Sequence, residues 1–428
     1  MHNIAKFFFA AITIIASNFI YAETVILKAS SIITMDKNNP RAEAIAFDTN
    51  TGKIIAIGSL SSVQSVTKQT TIRDLGQTVL MPGFIEPHSH PILSGIVTQP
   101  PAIWVAPYVG FKTWNDVKAR ILKADKEMPP GVPIIVNGVD RLLHKAPLPT
   151  RKILDPLTPS GRPLLLLDNS GHAVYFNTAV VDALGWKDRK PPKNPEGGSY
   201  GRYPDGTSNG AAYETPVLVS IASQFLPKAI PHLLLSAAKW YAYMASFGIT
   251  ASSEHTYSTD QYKAYLALAS VPNNPIRLHA YHMSTESDAA TQVNWPNSAM
   301  VRKLGIKLWA DGTPWLGNVA QSFGYLDNPT TRNAQIILGP LGEKGMNYTR
   351  SQLDQALDKY APLGYQMAFH CNGDVGFDVV LDAYERALVQ YKLLGTDHRW
   401  RVEHLGAARA DQFKRAASLG VTVSMAPF

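Results

Sequence analysis

The chain has 428 residues, 45% of them hydrophobic, which supplies enough apolar material for one large or two medium domains and excludes a disordered protein. Its net charge of +7, from 40 basic and 33 acidic residues, is not gathered into a Lys/Arg run. It reads as a dispersed solvated surface rather than a nucleic-acid interface. A single cysteine, Cys371, excludes an internal disulfide, so the core alone must hold the fold.

At the N-terminus, Lys6 precedes the apolar run Phe7–Ala16, and the segment closes on Tyr21-Ala22 before Glu23. A positive charge, a short apolar stretch and a small residue at the cut form a secretory signal pattern over residues 1–22 and predict export to the periplasm or the medium. The run is shorter than the ~20 apolar residues a membrane span requires. No later segment reads as transmembrane, so no membrane association is expected after cleavage.

Residues 23–80 read as short strands. TVILKASSIITMD, AEAIAFD and KIIAIG are rich in β-branched residues, and Asp48–Gly52 is a turn cluster between the last two. They predict the N-terminal part of a small β-domain. From Met81 the character changes. Short apolar runs (PGFIEPH, VPIIVNG, PLLLLDN, GITASSE, IRLHAYH, IKLWADG, YQMAFHC, WRVEHLG, VTVSMAP) alternate with longer patterns of helical period. IPHLLLSAAKWYAYMASFG, TRSQLDQALDKYAPLG and VGFDVVLDAYERALVQYKLLG each close on glycine, a common helix stop. Strands alternating with helices imply parallel βα units in an α/β fold, and nine candidates over residues 81–428 favour a barrel, with one or two runs in insertions. Trp186–Gly210, rich in Gly, Pro and charge, reads as a long surface loop.

His88-Ser89-His90 ends the first of these runs. Alternate residues on a strand face one way, and parallel barrels gather their chemistry at the C-terminal strand ends. Two imidazoles there can share a metal, or be two ordinary polar residues. Later runs repeat the theme. Lys307 lies inside IKLWADG, His370 ends YQMAFHC, and His404 ends WRVEHLG. Successive units offering His or Lys at comparable places turn a weak pair into a candidate cage.

With those residues in view the chain resembles the amidohydrolase superfamily, in its YtcJ-like branch (amidohydrolase family 3). The matching stretches are VLMPGFIEPHSH, RPLLLLDNSGHAVYFNTAVVDALG, Gly197–Glu214, FGITASSE, GIKLWADGT, FHCNGDVGFDVVLDAYERAL and RVEHLGAARADQFKRAASLGVTVSMAPF. The resemblance implies a TIM-like (β/α)8 metal-dependent hydrolase barrel beside a small β-sandwich. It implies a divalent metal, zinc by default, as one or two ions. His88 and His90 would hold the more buried ion and His370 and His404 the other. Lys307 would bridge them as a carbamate, since burial lowers an amine's pKa and the neutral amine can take up carbon dioxide. Lys307 with its ammonium reaching solvent is the plainer alternative. His172, in SGHAVYFN, is expected either at the pocket as a substrate or oxyanion contact or in a loop hydrogen bond. Glu254 and Asp311 are candidates behind the site. Asp374 is expected to cap the helix that follows it, with a site role as the alternative. Cys371 is read as packing. The family's eighth-strand aspartate has no counterpart before Phe428, so the barrel is expected to end after its seventh strand and turnover to be doubtful.

The activity so implied is hydrolysis of carbon–nitrogen bonds other than peptide bonds, of amide, formamide or cyclic amide type, in a small-molecule substrate. Two alternatives stand: a non-catalytic metal-binding remnant, and a barrel hydrolase of esters or phosphoesters. No signal of oligomeric state is present.

Overall fold

A computed structural model describes residues 24–425 apart from 69, 196, 197, 297 and 298. The expected signal segment lies outside the described residues. The chain divides into two compact units, up to Phe84 and from Ile85 onward.

The first unit holds strands β1 (Thr24–Ile33), β2 (Arg41–Asp48), β3 (Ile54–Gly58), β4 (Thr70–Asp74) and β5 (Val79–Leu80). They form one mixed sheet in the order β3-β2-β1-β4, with β5 also on β1. The β2–β3 hairpin closes at the expected turn, where the Asp48 carboxylate accepts the N–H groups of Asn50 and Thr51. Ile26, Ala44 and Ala46 on the sheet bury against Val63 of the short helix Leu60–Ser65. Among the described residues this is one sheet backed by a helix; the second sheet of a sandwich is not among them.

In the second unit, β6 (Phe84–Ser89) leads into the chain's chemistry and then into an inserted layer. That layer contains β7 (Ile103–Trp104), β8 (Ile134–Val139), β9 (Leu164–Asp168), β10 (Ala173–Phe176), β11 (Ser199–Arg202) and β12 (Ser208–Tyr213), a six-stranded sheet ordered β11-β12-β10-β9-β8-β7. Its central strand β9, Leu-Leu-Leu-Leu-Asp, is buried along its whole length, which accounts for an apolar run without alternation. VPIIVNG and PLLLLDN therefore belong to this insertion as β8 and β9. The loop expected over Trp186–Gly210 is corrected in part: β11 and the start of β12 pair antiparallel there around a turn at Tyr203–Thr207. Gly and Pro marked the turns but hid the short strands between them.

The remaining strands are β13 (Ile249–Tyr257), β14 (Arg277–Met283), β15 (Val301–Trp309), β16 (Gln366–Cys371), β17 (Arg401–His404) and β18 (Thr422–Met425). With β6 they make a seven-stranded sheet in the order β18-β17-β16-β15-β14-β13-β6, parallel from β13 to β18. The sheet is strongly curled: Arg401 on β17 donates to the carbonyl of Pro87 on β6, five strands away in the order. This is the nearly closed barrel the strand–helix alternation predicts. Helices cover its outside, including Leu233–Ser246, Arg350–Tyr360 and Asp374–Gln390, close to their expected spans. Ile306, Leu308, Met367, Phe369, Cys371 and Val402 point into that helical layer, where each fully buried Leu- or Ile-sized side chain contributes about 1.5–3 kcal/mol. Strand alternation then turns Lys307, His370 and Glu403 to the inside. No single helix among the described residues is long and apolar enough to cross a membrane.

Candidate active site

Six imidazole rings follow one another through the barrel. The His90 and His88 centroids lie 5.5 Å apart, His88 and His404 4.5 Å, His404 and His370 4.4 Å, and His370 and His172 4.7 Å. His255 stacks on His88 at 4.1 Å. The structure therefore brings together every histidine that the sequence singled out, and adds His255.

Strand geometry explains most of these placements. His88 lies next to last in β6 on its inner face, and His90 follows at the N-cap of the helix Pro91–Thr98, where Pro91 fits the first helical turn. Lys307 on β15 is only 1% exposed and stands in register with Ala368, two residues before His370. His404 departs from simple alternation. Its backbone has φ +75°, in the left-handed region that costs a non-glycine residue roughly 1–3 kcal/mol. That bend brings His404 to the same rings that the preceding Glu403 faces. His172 comes from the inserted layer, in the turn between β9 and β10, and its Nδ1 is 2.8 Å from Glu214. Asn318, in the loop after β15, donates to the other Glu214 oxygen at 2.6 Å and ties the inserted layer to the barrel mouth.

Hydrogen-bond partners assign the tautomers. Glu403 lies 2.7 Å from His88 Nδ1, so in a neutral ring Nδ1 donates and the Nε2 lone pair is left for a ligand. The carbonyl of Gly312 lies 2.8 Å from His370 Nε2, which therefore donates and leaves Nδ1 as the base. His90 Nδ1 lies 3.4 Å from Glu254.

Electrostatics set His88, His255, His370 and His404 apart from His172. Burial, reinforced by neighbouring charges including Lys307, holds His88, His255, His370 and His404 well below the ordinary imidazole range, so they are neutral at pH 7. His172 is also opposed by burial, but the charge and hydrogen bond of Glu214 outweigh it and raise the ring. Burial brings the Lys307 amine down to about 7, against the pull of Glu403.

Glu254 stands behind His90 as expected, 3.4 Å from its Nδ1, while Asp374 departs from expectation. Asp311, just past β15, is fully buried and accepts the N–H groups of Asn372, Gly373 and Ala320, while burial pushes it up to about 7. It thus braces the entry to the helix Asp374–Gln390. Asp374 does not cap that helix: Gly373 is the N-cap, and the Asp374 carboxylate accepts from the Ser322 backbone and hydroxyl and from Arg409. Asp374 is the first helical residue rather than the N-cap, and its carboxylate is drawn to the Ser322 and Arg409 donors. Glu254 faces outward from β13, where it accepts from Thr256 and sits near the Ile92 N–H and His90. Cys371 packs in the core on the side opposite His370, as expected.

Sequence reasoning missed His255, Glu403 and Glu214. One signal was available. The dipeptide Glu-His recurs near the ends of two strands, at Glu254-His255 in β13 and Glu403-His404 in β17, and in both cases the two side chains serve the same cluster. Glu214 lies in the matched stretch Gly197–Glu214, but nothing local links it to His172, 42 residues earlier.

The donor set suits a divalent cation. It is rich in neutral nitrogen ligands, buried, and backed by a carboxylate or carbonyl on the second ring nitrogen of His88, His90 and His370. His88, His255 and Glu403 also offer three donor atoms within 4.8 Å of one another.

Residues 71–428 match the model of the amidohydrolase family. The chain belongs to that family. It is 25% identical over 418 residues to an N-substituted formamide deformylase from Arthrobacter pascens, covering 93% of this chain and 72% of the relative. It is 24% identical over 368 residues to YtcJ of Bacillus subtilis (strain 168), covering 83% of this chain and 64% of that one. The chain thus spans about two thirds to three quarters of these curated relatives. Among solved structures it is similar to an uncharacterized metal-dependent hydrolase from Pyrococcus horikoshii, with a TM-score of 0.65 at 19% identity over 94% of this chain and 74% of that one. The fold of this amidohydrolase-family chain is therefore the TIM-like barrel that the resemblance implied.

Proposed function

We propose that this chain is an exported, metal-dependent hydrolase of carbon–nitrogen bonds other than peptide bonds, with amides, formamides or cyclic amides as its substrate class. The observation that carries the reading is the contact between neutral, buried imidazoles around a buried lysine whose amine is brought down to about 7. The formamide class is supported by the name of the Arthrobacter relative, and export by the N-terminal segment. His88, His90, His370, His404 and Lys307 would hold the metal, with zinc the best match to nitrogen donors.

A bound divalent cation supplies a nucleophilic water near neutral pH by lowering its pKa. The chain's own residues supply orientation and protons. Glu403 and Gly312 fix which nitrogens of His88 and His370 carry lone pairs. Lys307, as a free amine, can add carbon dioxide to give a carbamate and a released proton; the anion so formed suits a site of two cations. His172, kept protonatable by Glu214, can offer its Nε2–H to a developing oxyanion or to a leaving nitrogen. The inserted layer thus supplies the proton donor, and the barrel supplies the metal-binding side chains.

Metal content of the purified protein, measured by mass spectrometry beside His88→Ala/His90→Ala, tests the reading. About one or two ions per chain, lost in the variant, are expected. A folded parent without metal would overturn it. A panel of formamides, cyclic amides, lactones and phosphotriesters then sets the bond class: turnover of esters alone would replace the carbon–nitrogen assignment. No turnover by metal-loaded protein would leave a metal-binding chain without catalysis.

A further inference from the structure

Beneath the metal-binding rings lies a second tier of polar side chains inside the barrel. Arg401, two residues before Glu403 on β17, grips the Glu403 carboxylate through Nε and, at 2.8 Å, through a terminal nitrogen. The same guanidinium donates to the Pro87 carbonyl, next to His88 in the chain, and lies 5.6 Å over the Tyr281 ring. Tyr281 stacks on His255 at 4.4 Å with an interplanar angle of 11°, and His255 stacks on His88 at 4.1 Å and 25°. Tyr281 is itself tied down, donating from its hydroxyl to Gln366 at 2.7 Å. His88 is therefore held from two directions. A three-ring stack fixes its plane, and the Arg401–Glu403 pair fixes its Nδ1.

Two roles fit His88, His255 and Glu403. They could hold an ion themselves, or they could orient His88 for an ion above. The geometry decides between them. Both Glu403 oxygens already accept from Arg401, and one also accepts from His88, so the carboxylate is committed. A cation placed among these three groups would also face the permanent positive charge of Arg401 at close range.

We infer that Arg401, Glu403 and His255 form a positioning tier that fixes the tautomer and plane of His88, so that its Nε2 faces the metal site. The inference deepens the metal reading and rests on it. Outer partners of this kind hold a ligand's lone pair in place, and their loss typically weakens metal binding by about 10- to 100-fold.

The test uses the full chain and two substitutions, Glu403→Gln and Glu403→Leu. Zinc affinity is read by competition with a chelator, and the His88 tautomer by 15N NMR of histidine-labelled, metal-free protein, with the His88 signal assigned by its loss in His88→Gln. The parent is expected to carry its proton on Nδ1. Glu403→Leu should mix the two tautomers and bind zinc roughly 10- to 100-fold more weakly at unchanged stoichiometry. Glu403→Gln, which keeps an acceptor in place, should restore most of that loss. Unchanged affinity in a folded Glu403→Leu protein would overturn the inference. So would loss of one whole ion with the remaining affinity intact, which would make Glu403 a ligand. A parent that binds no zinc would sink the proposed function, while a metal-free parent protonated on Nε2 would sink the positioning tier; the two failures are read separately.

Discussion

Glu403 and His404 are consecutive in the chain, yet both meet His88: the Glu403 carboxylate lies 2.7 Å from its Nδ1, and the His404 ring centroid lies 4.5 Å from its own. In a regular strand one of them would face the helical layer. The φ of +75° at His404 breaks the alternation, and the sheet spends backbone strain to present two functional side chains from adjacent positions. Strain of this kind persists where surrounding contacts over-determine it, and the barrel interior supplies them.

Replacement of Lys307 separates function from stability. An amine buried to 1% exposure and brought down to about 7 opposes folding wherever the unfolded chain would keep it protonated. Lys307→Met is expected to stabilise the metal-free protein at pH 7 by about 1–4 kcal/mol and to abolish or halve metal uptake. Chemical denaturation and metal analysis on the same sample check both halves. A less stable variant would show that Lys307 is paired better than its burial implies.

The metal-free protein should lose stability in acid. His88, His255, His370 and His404 titrate below 6.5 in the folded state, so below about pH 6.5 the unfolded chain binds more protons and stability falls with pH. His172 and the buried carboxyls of Asp168 and Asp311 are raised and act in the opposite sense, whereas His279 and His282 are lowered and add to the four. Lys307 is lowered from 10.5 to about 7, so stability should rise further between pH 7 and 10. Melting temperatures are expected to climb from pH 5 to about 9, above which the raised Cys371 and buried tyrosines act in the opposite sense, and Lys307→Met should lack the alkaline part of the climb.

Cys371 should be chemically silent in the native state. It is fully buried in the helical layer, and burial pushes its thiol well above the ordinary range, so little reactive thiolate is present. A thiol reagent is expected to label it only on the unfolding timescale. Fast labelling of native protein would mean that β16 opens locally.

Gly305 faces inward two residues before Lys307. A Cβ there would come within 2.3 Å of the Gln366 carbonyl and 2.6 Å of the Tyr281 ring. Gly305→Ala is therefore expected to cost about 1–3 kcal/mol and, by shifting Tyr281 under His255, to weaken zinc binding as well. Calorimetry with a zinc titration checks the pair of effects. A destabilised variant with parental affinity would detach the ring stack from the metal site.

The sequence by itself determined the βα alternation, the barrel and the identity of the metal-binding candidates, because each depends on short-range patterns: apolar runs, glycine stops, and His or Lys at strand ends. It also assigned Cys371 to packing, since strand alternation sets its side once His370 faces inward. Only the tertiary structure decided who stands behind those candidates. Glu403 reaches His88 across 315 positions of chain and Glu214 reaches His172 across 42, and no local period encodes such distances. It also moved Asp374 from cap to clamp and gave the bracing of that helix entry to Asp311, because N–H groups at a helix start donate to any carboxylate that the fold carries to them. The inserted sheet was hidden for a related reason. A fully buried strand such as β9 carries the same apolar signature in an insertion as in a barrel, and only its hydrogen-bonded neighbours tell the two apart.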